Sequence, residues 1–186
     1  MSTLGPHFKL IFWNDRGVFS WERVKFFGSR IWLILIAELA VSIAFAHLLQ
    51  TIFPTSGAAN TENQKRITTS LKDARIIMIV ISVLIFAPVF EELIYRRSIL
   101  KTANFHTSTL FSSALIFGLI HLNSSKETIF HLLPYFCGGL VFAWSYKKYR
   151  NIWISIFVHF LHNLTALLSA VAHSNSVFIN IFPPWS

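Results

Sequence analysis

The chain has 186 residues, of which 54% are hydrophobic and 13% are charged, and its net charge is +8. It is more apolar and less charged than an average soluble domain, and its length predicts one compact unit rather than several. The net charge does not indicate a nucleic-acid-binding protein, because the basic residues lie in the short stretches between apolar runs. That pattern is typical of a membrane protein whose loops contact anionic lipid headgroups.

Residues 1–30 combine five basic side chains with many aromatic ones, which predicts a cytoplasmic segment that lies in the membrane interface. Residues 31–186 predict a bundle of transmembrane helices, since about 20 apolar residues cross the hydrocarbon core as a helix. The predicted spans are 31–53, 76–95 (continuing as helix to 102), 109–122, 129–146 and 152–172. The predicted fold class is therefore all-α, a polytopic membrane helix bundle with about five spans and an N-terminal interfacial segment.

The basic residues on either side of these spans predict the orientation of the chain. With the N-terminus inside, eleven Lys and Arg residues lie on the cytoplasmic side and five lie outside. Cytoplasmic loops carry the excess of basic residues in membrane proteins, so the N-terminus is predicted to be inside. The final stretch, residues 176–186, is apolar but too short to span, and it is expected at the interface.

Two adjacent carboxylates, Glu91 and Glu92, lie within the second predicted span. An ionisable residue at bilayer depth is costly and indicates a functional role by default. Residues four apart share one face of a helix, so Glu92 and Arg96 are expected to form an ion pair. Glu91 points about 100° away around the helix. It is left as a free carboxylate, which suits a general base or a metal ligand.

Two later spans contain polar residues at helical spacing, Phe117 with His121 and His159 with Asn163. With a rise of about 1.5 Å per residue, these polar side chains and Glu91 lie at compatible depths in the inner or central part of the bilayer. We therefore expect one cavity that they line together.

The three motifs occur in the order FEELIYRR, FGLIH and HFLHN, which correspond to EExxxR, FxxxH and HxxxN. Three ordered motifs, each within an apolar helix, are far more specific than any one of them. In these motifs the chain resembles the CPBP family of intramembrane peptidases, which includes the CaaX prenyl endopeptidases and proteins linked to bacteriocin processing and self-immunity. The resemblance covers about residues 71–172, roughly half of the chain.

The resemblance implies a membrane-embedded endopeptidase that hydrolyses a peptide bond near the inner leaflet. Carried over by position, Glu91 and His121 would activate the attacking water. His159 and Asn163 would stabilise the oxyanion of the tetrahedral intermediate. Whether such sites use a metal is left open, because Glu91, His121 and His159 could also bind zinc with an open water position, as in a metalloprotease. Asn163 favours the oxyanion role, since Asn is a good donor and a poor zinc ligand.

The remaining polar residues are expected to support the site. The resemblance implies that Glu92 and Arg96 hold their helix in place. His162 lies three residues from His159 and close to the same face, and we expect it behind the reacting groups rather than among them. Glu38 is an isolated acid in the first span. It either bonds across to another helix or lines the access path.

The expected partners are the lipid bilayer and a peptide substrate, while nucleic acid is not expected. Candidate substrates are a prenylated or lipid-anchored tail, the leader of a small secreted peptide, or another membrane protein. The resemblance also implies a bacterial cytoplasmic membrane. The alternative is a non-enzymatic immunity protein that protects against a bacteriocin by binding its target. A proton-coupled carrier is a weaker alternative, because buried Glu and His also form proton relays but no internal repeat is visible.

Overall fold

The computed structural model describes residues 21–52, 69, 76–122 and 129–173. Within these ranges the chain is helical and contains no strand, which confirms the all-α fold class. The expectations for residues 1–20 and 176–186 lie outside the described residues.

Five long helices run through the described residues, and we number them in chain order. They are α1 (Trp21–Ile52), α2 (Ile76–Thr102), α3 (Thr107–Ile120), α4 (Ile129–Tyr149) and α5 (Ile152–His173). By length and composition, α2, α4 and α5 are able to cross a membrane, whereas α3 is a shorter apolar helix. α1 begins at Trp21, so part of the expected interfacial segment and the first expected span form one continuous helix.

The bundle has polar groups inside and large apolar side chains outside. Glu92 and Arg96 are fully buried, while Trp32, Ile77 and Met78 are more than half exposed. Lipid tails are as apolar as these side chains, so their outward position is not penalised in a bilayer. This distribution and the apolar helices are those of a multi-pass membrane protein.

α2 is not a regular α-helix. It contains two π-helical segments, Ser82–Phe86 and Glu92–Ser98, on either side of a short α-helical turn that contains Pro88. π-Helical turns are rare, and they are frequent at functional sites. The second segment starts directly after Glu91. The irregularity of α2 therefore coincides with the paired carboxylates.

The connections α2–α3 and α4–α5 meet on one side of the bundle. Phe105 and Arg150 both have a positive φ, of 56° and 52°. The Arg150 guanidinium lies 3.6 Å from the centroid of the Phe105 ring, and that ring also contacts Tyr146, with centroids 5.1 Å apart. Because these two connections contact each other, the adjoining ends of α2, α3, α4 and α5 are fixed relative to one another.

α3 and α4 approach closely at Gly139. A Cβ atom at this position would lie 3.2 Å from the Cα of Ala114 and 3.3 Å from Nη2 of Arg96. The Gly139 carbonyl also accepts a hydrogen bond from Arg96 Nη2, at 3.3 Å. Glycine thus allows the helices to touch and brings a carbonyl to the buried guanidinium, as small residues do in membrane helix packing.

We expect Gly139→Ala to destabilise the bundle by about 1–3 kcal/mol, because overpacking against backbone atoms cannot be relieved by a side-chain rotation. Denaturant titration in detergent micelles measures this loss. Gly28→Ala is the matched control, since a Cβ there meets no described atom within 4 Å. Equal effects of the two substitutions would contradict the packing role of Gly139.

Candidate active site

A cavity of about 230 Å³ lies inside the bundle, and residues from all five helices or their ends line it. Its lining includes Glu91, His121, His159 and Asn163, so the expectation of one shared cavity is met. The aromatic rings of Phe117, Tyr135 and Phe142 form much of the remaining wall.

Glu91 is the carboxylate of α2 that faces this cavity with an unpaired oxygen. Its Oε2 lies 3.8 Å from Nε2 of His121 and 3.8 Å from Nε2 of His159. Among the described residues, no group donates a hydrogen bond to this oxygen. A buried acceptor without a donor is costly. Glu91 Oε2 is therefore the acceptor that the cavity offers to a water molecule or a substrate.

His121 is oriented by the end of its own helix. α3 ends at Ile120, two residues before its expected end, because the His121 N–H bonds to the Gly118 carbonyl at 3.1 Å. This tighter turn leaves the Phe117 carbonyl open, and His121 Nδ1 binds it at 2.7 Å. A carbonyl only accepts, so Nδ1 carries the proton and Nε2 is the acceptor of the neutral ring.

The His159 ring is held between an acid and an aromatic ring. Its Nδ1 donates to Glu92 Oε1 at 3.0 Å, and the ring stacks on Phe142 with centroids 4.7 Å apart and planes 17° apart. These contacts leave Nε2 directed toward Glu91. The same side chain thus joins the two adjacent carboxylates of α2 to α5.

Glu92 has partners on both oxygens, in contrast to Glu91. Besides His159, its Oε1 contacts Arg96 Nη1 at 3.3 Å, and its Oε2 accepts a hydrogen bond from the Ser155 hydroxyl. The Arg96 guanidinium lies 4.1 Å from the centroid of the Phe117 ring, a favourable cation–π distance. The Glu92–Arg96 pair expected from the helical spacing is therefore present, and it binds α2 to three neighbouring helices.

Asn163 is positioned by an irregularity in α2. In the first π-helical segment, the Ala87 N–H bonds to the Ser82 carbonyl five residues back. With the same spacing, the Val83 carbonyl would accept from the N–H of residue 88, but residue 88 is proline and has no N–H. The carbonyl of Val83 is therefore open, and Asn163 Nδ2 donates to it at 2.8 Å. Asn carries two N–H donors on this atom, so one fixes the side chain and the other is left for the cavity.

His162 and Glu38 form a second acid–imidazole pair on the cavity wall. His162 Nδ1 donates to Glu38 Oε2 at 2.8 Å, and the Ser42 hydroxyl donates to Glu38 Oε1 at 2.9 Å. Of the two possibilities that the sequence left open for Glu38, the bond to another helix is present, and Glu38 also lines the cavity. His162 lines the cavity as well.

Sequence reasoning missed two contributors to the site. Ser155 lies one helical turn before His159 and binds the same carboxylate, so the spacing of four residues could have identified it. The role of Pro88 in opening a carbonyl for Asn163 depends on the π-helical turn, for which the sequence offers only the proline itself.

The described residues do not form a ready-made zinc site. Among them, no group of three or more His, Cys, Asp or Glu side chains is arranged to hold a metal ion. Both imidazole nitrogens lie 3.8 Å from the Glu91 oxygen, whereas two donors on a tetrahedral zinc ion with ligands at about 2.1 Å are about 3.4 Å apart. The observed 3.8 Å lies between this value and the distance of about 4.6 Å between two groups that are hydrogen-bonded to one water molecule at about 2.8 Å.

Fold and site together define a multi-pass membrane protein with a polar cavity enclosed by its helices. Residues 73–165, half of the chain, match the family described as type II CAAX prenyl endopeptidase Rce1-like. The chain belongs to this family, which confirms the resemblance carried by the three motifs.

Three curated bacterial proteins are similar to this chain. The Bacillus subtilis (strain 168) protein named "Putative membrane peptidase YdiL" is 33% identical over 107 residues, which are 55% of this chain and 41% of that protein. An uncharacterized protein of Mycoplasma capricolum is 22% identical over 157 residues (79% and 41% of the two chains). The UPF0177 protein YvdC of Lactococcus lactis is 28% identical over 141 residues (72% and 53%).

The chain spans about half the length, or less, of these curated relatives. No solved structure matches it.

Proposed function

We propose that this protein is an intramembrane endopeptidase that hydrolyses a peptide bond near the inner leaflet. The observation that carries the proposal is the unpaired Glu91 Oε2, which faces two imidazole nitrogens at 3.8 Å inside a cavity. Membership of the Rce1-like family and the similarity to a protein named as a membrane peptidase support the same chemistry.

In this proposal, Glu91 and His121 position and activate the attacking water. Glu91 Oε2 and the neutral His121 Nε2 are both acceptors, and a water molecule has two protons to donate. A water held by both directs a lone pair away from them, toward the substrate carbonyl. As its oxygen attacks, one proton passes to Glu91, which acts as a general base.

The oxyanion of the tetrahedral intermediate is stabilised by Asn163 and His159. Asn163 supplies the N–H that Val83 does not use. In its protonated form His159 supplies Nε2–H, while its Nδ1–H stays on the buried Glu92. Donors that are already fixed by other bonds need no reorganisation when the negative charge develops, which is the main source of such stabilisation.

The substrate in this proposal is a membrane-associated peptide, either a prenylated or lipid-anchored tail or the leader of a small secreted peptide. The lining of the cavity supports it, because the aromatic side chains of Phe117, Tyr135 and Phe142 lie beside its polar groups. The excess of basic residues supports an inside N-terminus, and the bacterial relatives support a bacterial cytoplasmic membrane.

The test is cleavage by the purified protein in vesicles of bacterial lipids. Prenylated tail peptides and leader peptides are offered in water enriched in ¹⁸O, and mass spectrometry follows the products. We expect one ¹⁸O atom in the new carboxyl group. His121→Ala should lower the rate by about 10²–10⁴-fold, the range of general acid–base catalysis. A metal chelator should leave the rate unchanged.

Immunity by binding is the competing outcome. If cells that make the protein are protected from a bacteriocin and His121→Ala protects them equally at the same protein level, the peptidase proposal is wrong. Loss of cleavage together with loss of protection would instead exclude protection by binding alone.

A further inference from the structure

The Glu38–His162 pair is the one acid–imidazole pair on the described cavity wall to which the proposed mechanism gives no role. It joins α1 to α5 across 124 residues of sequence, and Glu38 lies outside residues 73–165 that match the family. Glu38 is fully buried, with both carboxylate oxygens hydrogen-bonded. Its surroundings therefore hold the carboxylate in one position.

The shape of the wall at this point is built around that carboxylate. Glu38 Oε1 lies 3.3 Å from where a Cβ atom of Gly138 would be. Any larger residue at position 138 would therefore displace the Glu38 carboxylate. The hydroxyl of Ser42, one turn along α1, completes the contacts of Oε1. These features place the acid where it meets His162 and nothing else that titrates among the described residues.

His162 is one of the residues that line the cavity. Glu38 accepts the hydrogen bond of Nδ1–H, and no described residue bonds to Nε2. The side chain is 33% exposed although Glu38 is completely enclosed. The ring lies edge-on to Phe142, with centroids 6.1 Å apart, and His159 stacks on that same phenylalanine. The two imidazoles therefore share one aromatic wall.

A buried acid that orients an imidazole, and leaves its other nitrogen free toward a reaction site, is the arrangement that enzymes use for proton transfer. Peptide hydrolysis needs a proton donor for the leaving nitrogen, and the proposed mechanism uses Glu91 and His121 for water and His159 and Asn163 for the oxyanion.

We propose that His162, positioned by Glu38, is the acid that protonates the leaving amine. The inference rests on the proposed peptidase function and deepens it. His162 is the catalytic residue in this step, because its Nε2 touches the reacting nitrogen, while Glu38 is a positioning residue.

The protons balance over one cycle. His162 enters the cycle as an imidazolium, with Nδ1–H on Glu38 and a second proton on Nε2. The water oxygen bonds to the carbonyl carbon, one water proton passes to Glu91, and the C=O electron pair moves onto oxygen. When this intermediate collapses, the C–N bond breaks, the nitrogen takes the Nε2 proton of His162, and the products are a carboxylic acid and an amine. The proton on Glu91 then passes to His162 through water in the cavity, which restores both groups.

The test compares an amide with an activated ester. The substrate peptide and the p-nitrophenyl ester of its acyl part share all contacts before the scissile bond, but the nitrophenolate leaves without a proton. We expect His162→Gln to lower amide cleavage by about 10²–10⁴-fold and ester cleavage by less than about tenfold. Glu38→Gln should lower the amide-to-ester ratio in the same direction, and Glu38→Asp should recover part of it.

The ratio of the two rates does not depend on how much of a variant is folded, so a partly misfolded sample still reports it. An unchanged ratio in His162→Gln would overturn the inference, whether both rates fall or neither does. Glu91→Gln should lower both reactions by about 10²–10⁴-fold. If it does not, the peptidase proposal itself fails, so the two failures are distinguishable.

Discussion

Replacing Glu91 by glutamine is expected to lower peptide cleavage by about 10²–10⁴-fold, the contribution of a general base. Glutamine keeps the size of the side chain but cannot take the proton of the attacking water. The fold should be little affected, because no described residue donates a hydrogen bond to Oε2. The free energy of unfolding should therefore change by less than about 1 kcal/mol.

The experiment measures initial rates in vesicles and unfolding in detergent for the same preparations. Phe90→Leu is the matched control, since Phe90 is the neighbouring residue and 57% exposed on the outside of the bundle. Full activity of Glu91→Gln would remove the base from the mechanism. A large loss of stability would show that Glu91 has a structural bond.

Replacing Glu92 by glutamine is expected to destabilise the fold, unlike the replacement of Glu91. The expected loss in the free energy of unfolding is about 3–5 kcal/mol, the usual effect of removing one partner of a buried ion pair. Glu92 is fully buried and is the anion beside the fully buried Arg96. It also accepts hydrogen bonds from Ser155 and His159. The substitution leaves a guanidinium in the bundle without its counter-charge.

A double-mutant cycle measures this coupling. Denaturant titration in detergent compares Glu92→Gln, Arg96→Gln and the double variant. We expect the double variant to be more stable than the sum of the single losses implies, because it carries no uncompensated charge. Strict additivity would mean that the two side chains do not stabilise each other.

These opposite expectations concern neighbouring residues of the same type, and part of the difference was visible in the sequence. The spacing of Glu92 and Arg96 predicts their pairing, because residues four apart on a helix share a face. The same geometry directs Glu91 elsewhere. The directions of these side chains follow from the geometry of a single helix. The apolar runs that predict the helices are likewise properties of short segments of the chain.

The helical spacing also predicted which later residues line the cavity, but not how each is held. His121 binds a carbonyl of its own helix only because α3 tightens at its last turn. Asn163 binds the Val83 carbonyl only because a π-helical turn and Pro88 leave it without a donor. Departures from ideal helix geometry determine both contacts, and residue spacing assumes the ideal geometry.

The sequence by itself determined the apolar helices, the different directions of the Glu91 and Glu92 side chains around their helix, and the similar depth in the bilayer expected for the three motifs. Those properties follow from the rise and turn of single helices. Only the tertiary structure decided that Glu38 meets His162, which is 124 positions away, and that both line the cavity with Glu91. That contact depends on how α1 and α5 are rotated about their axes and packed against each other, and no local periodicity records this rotation.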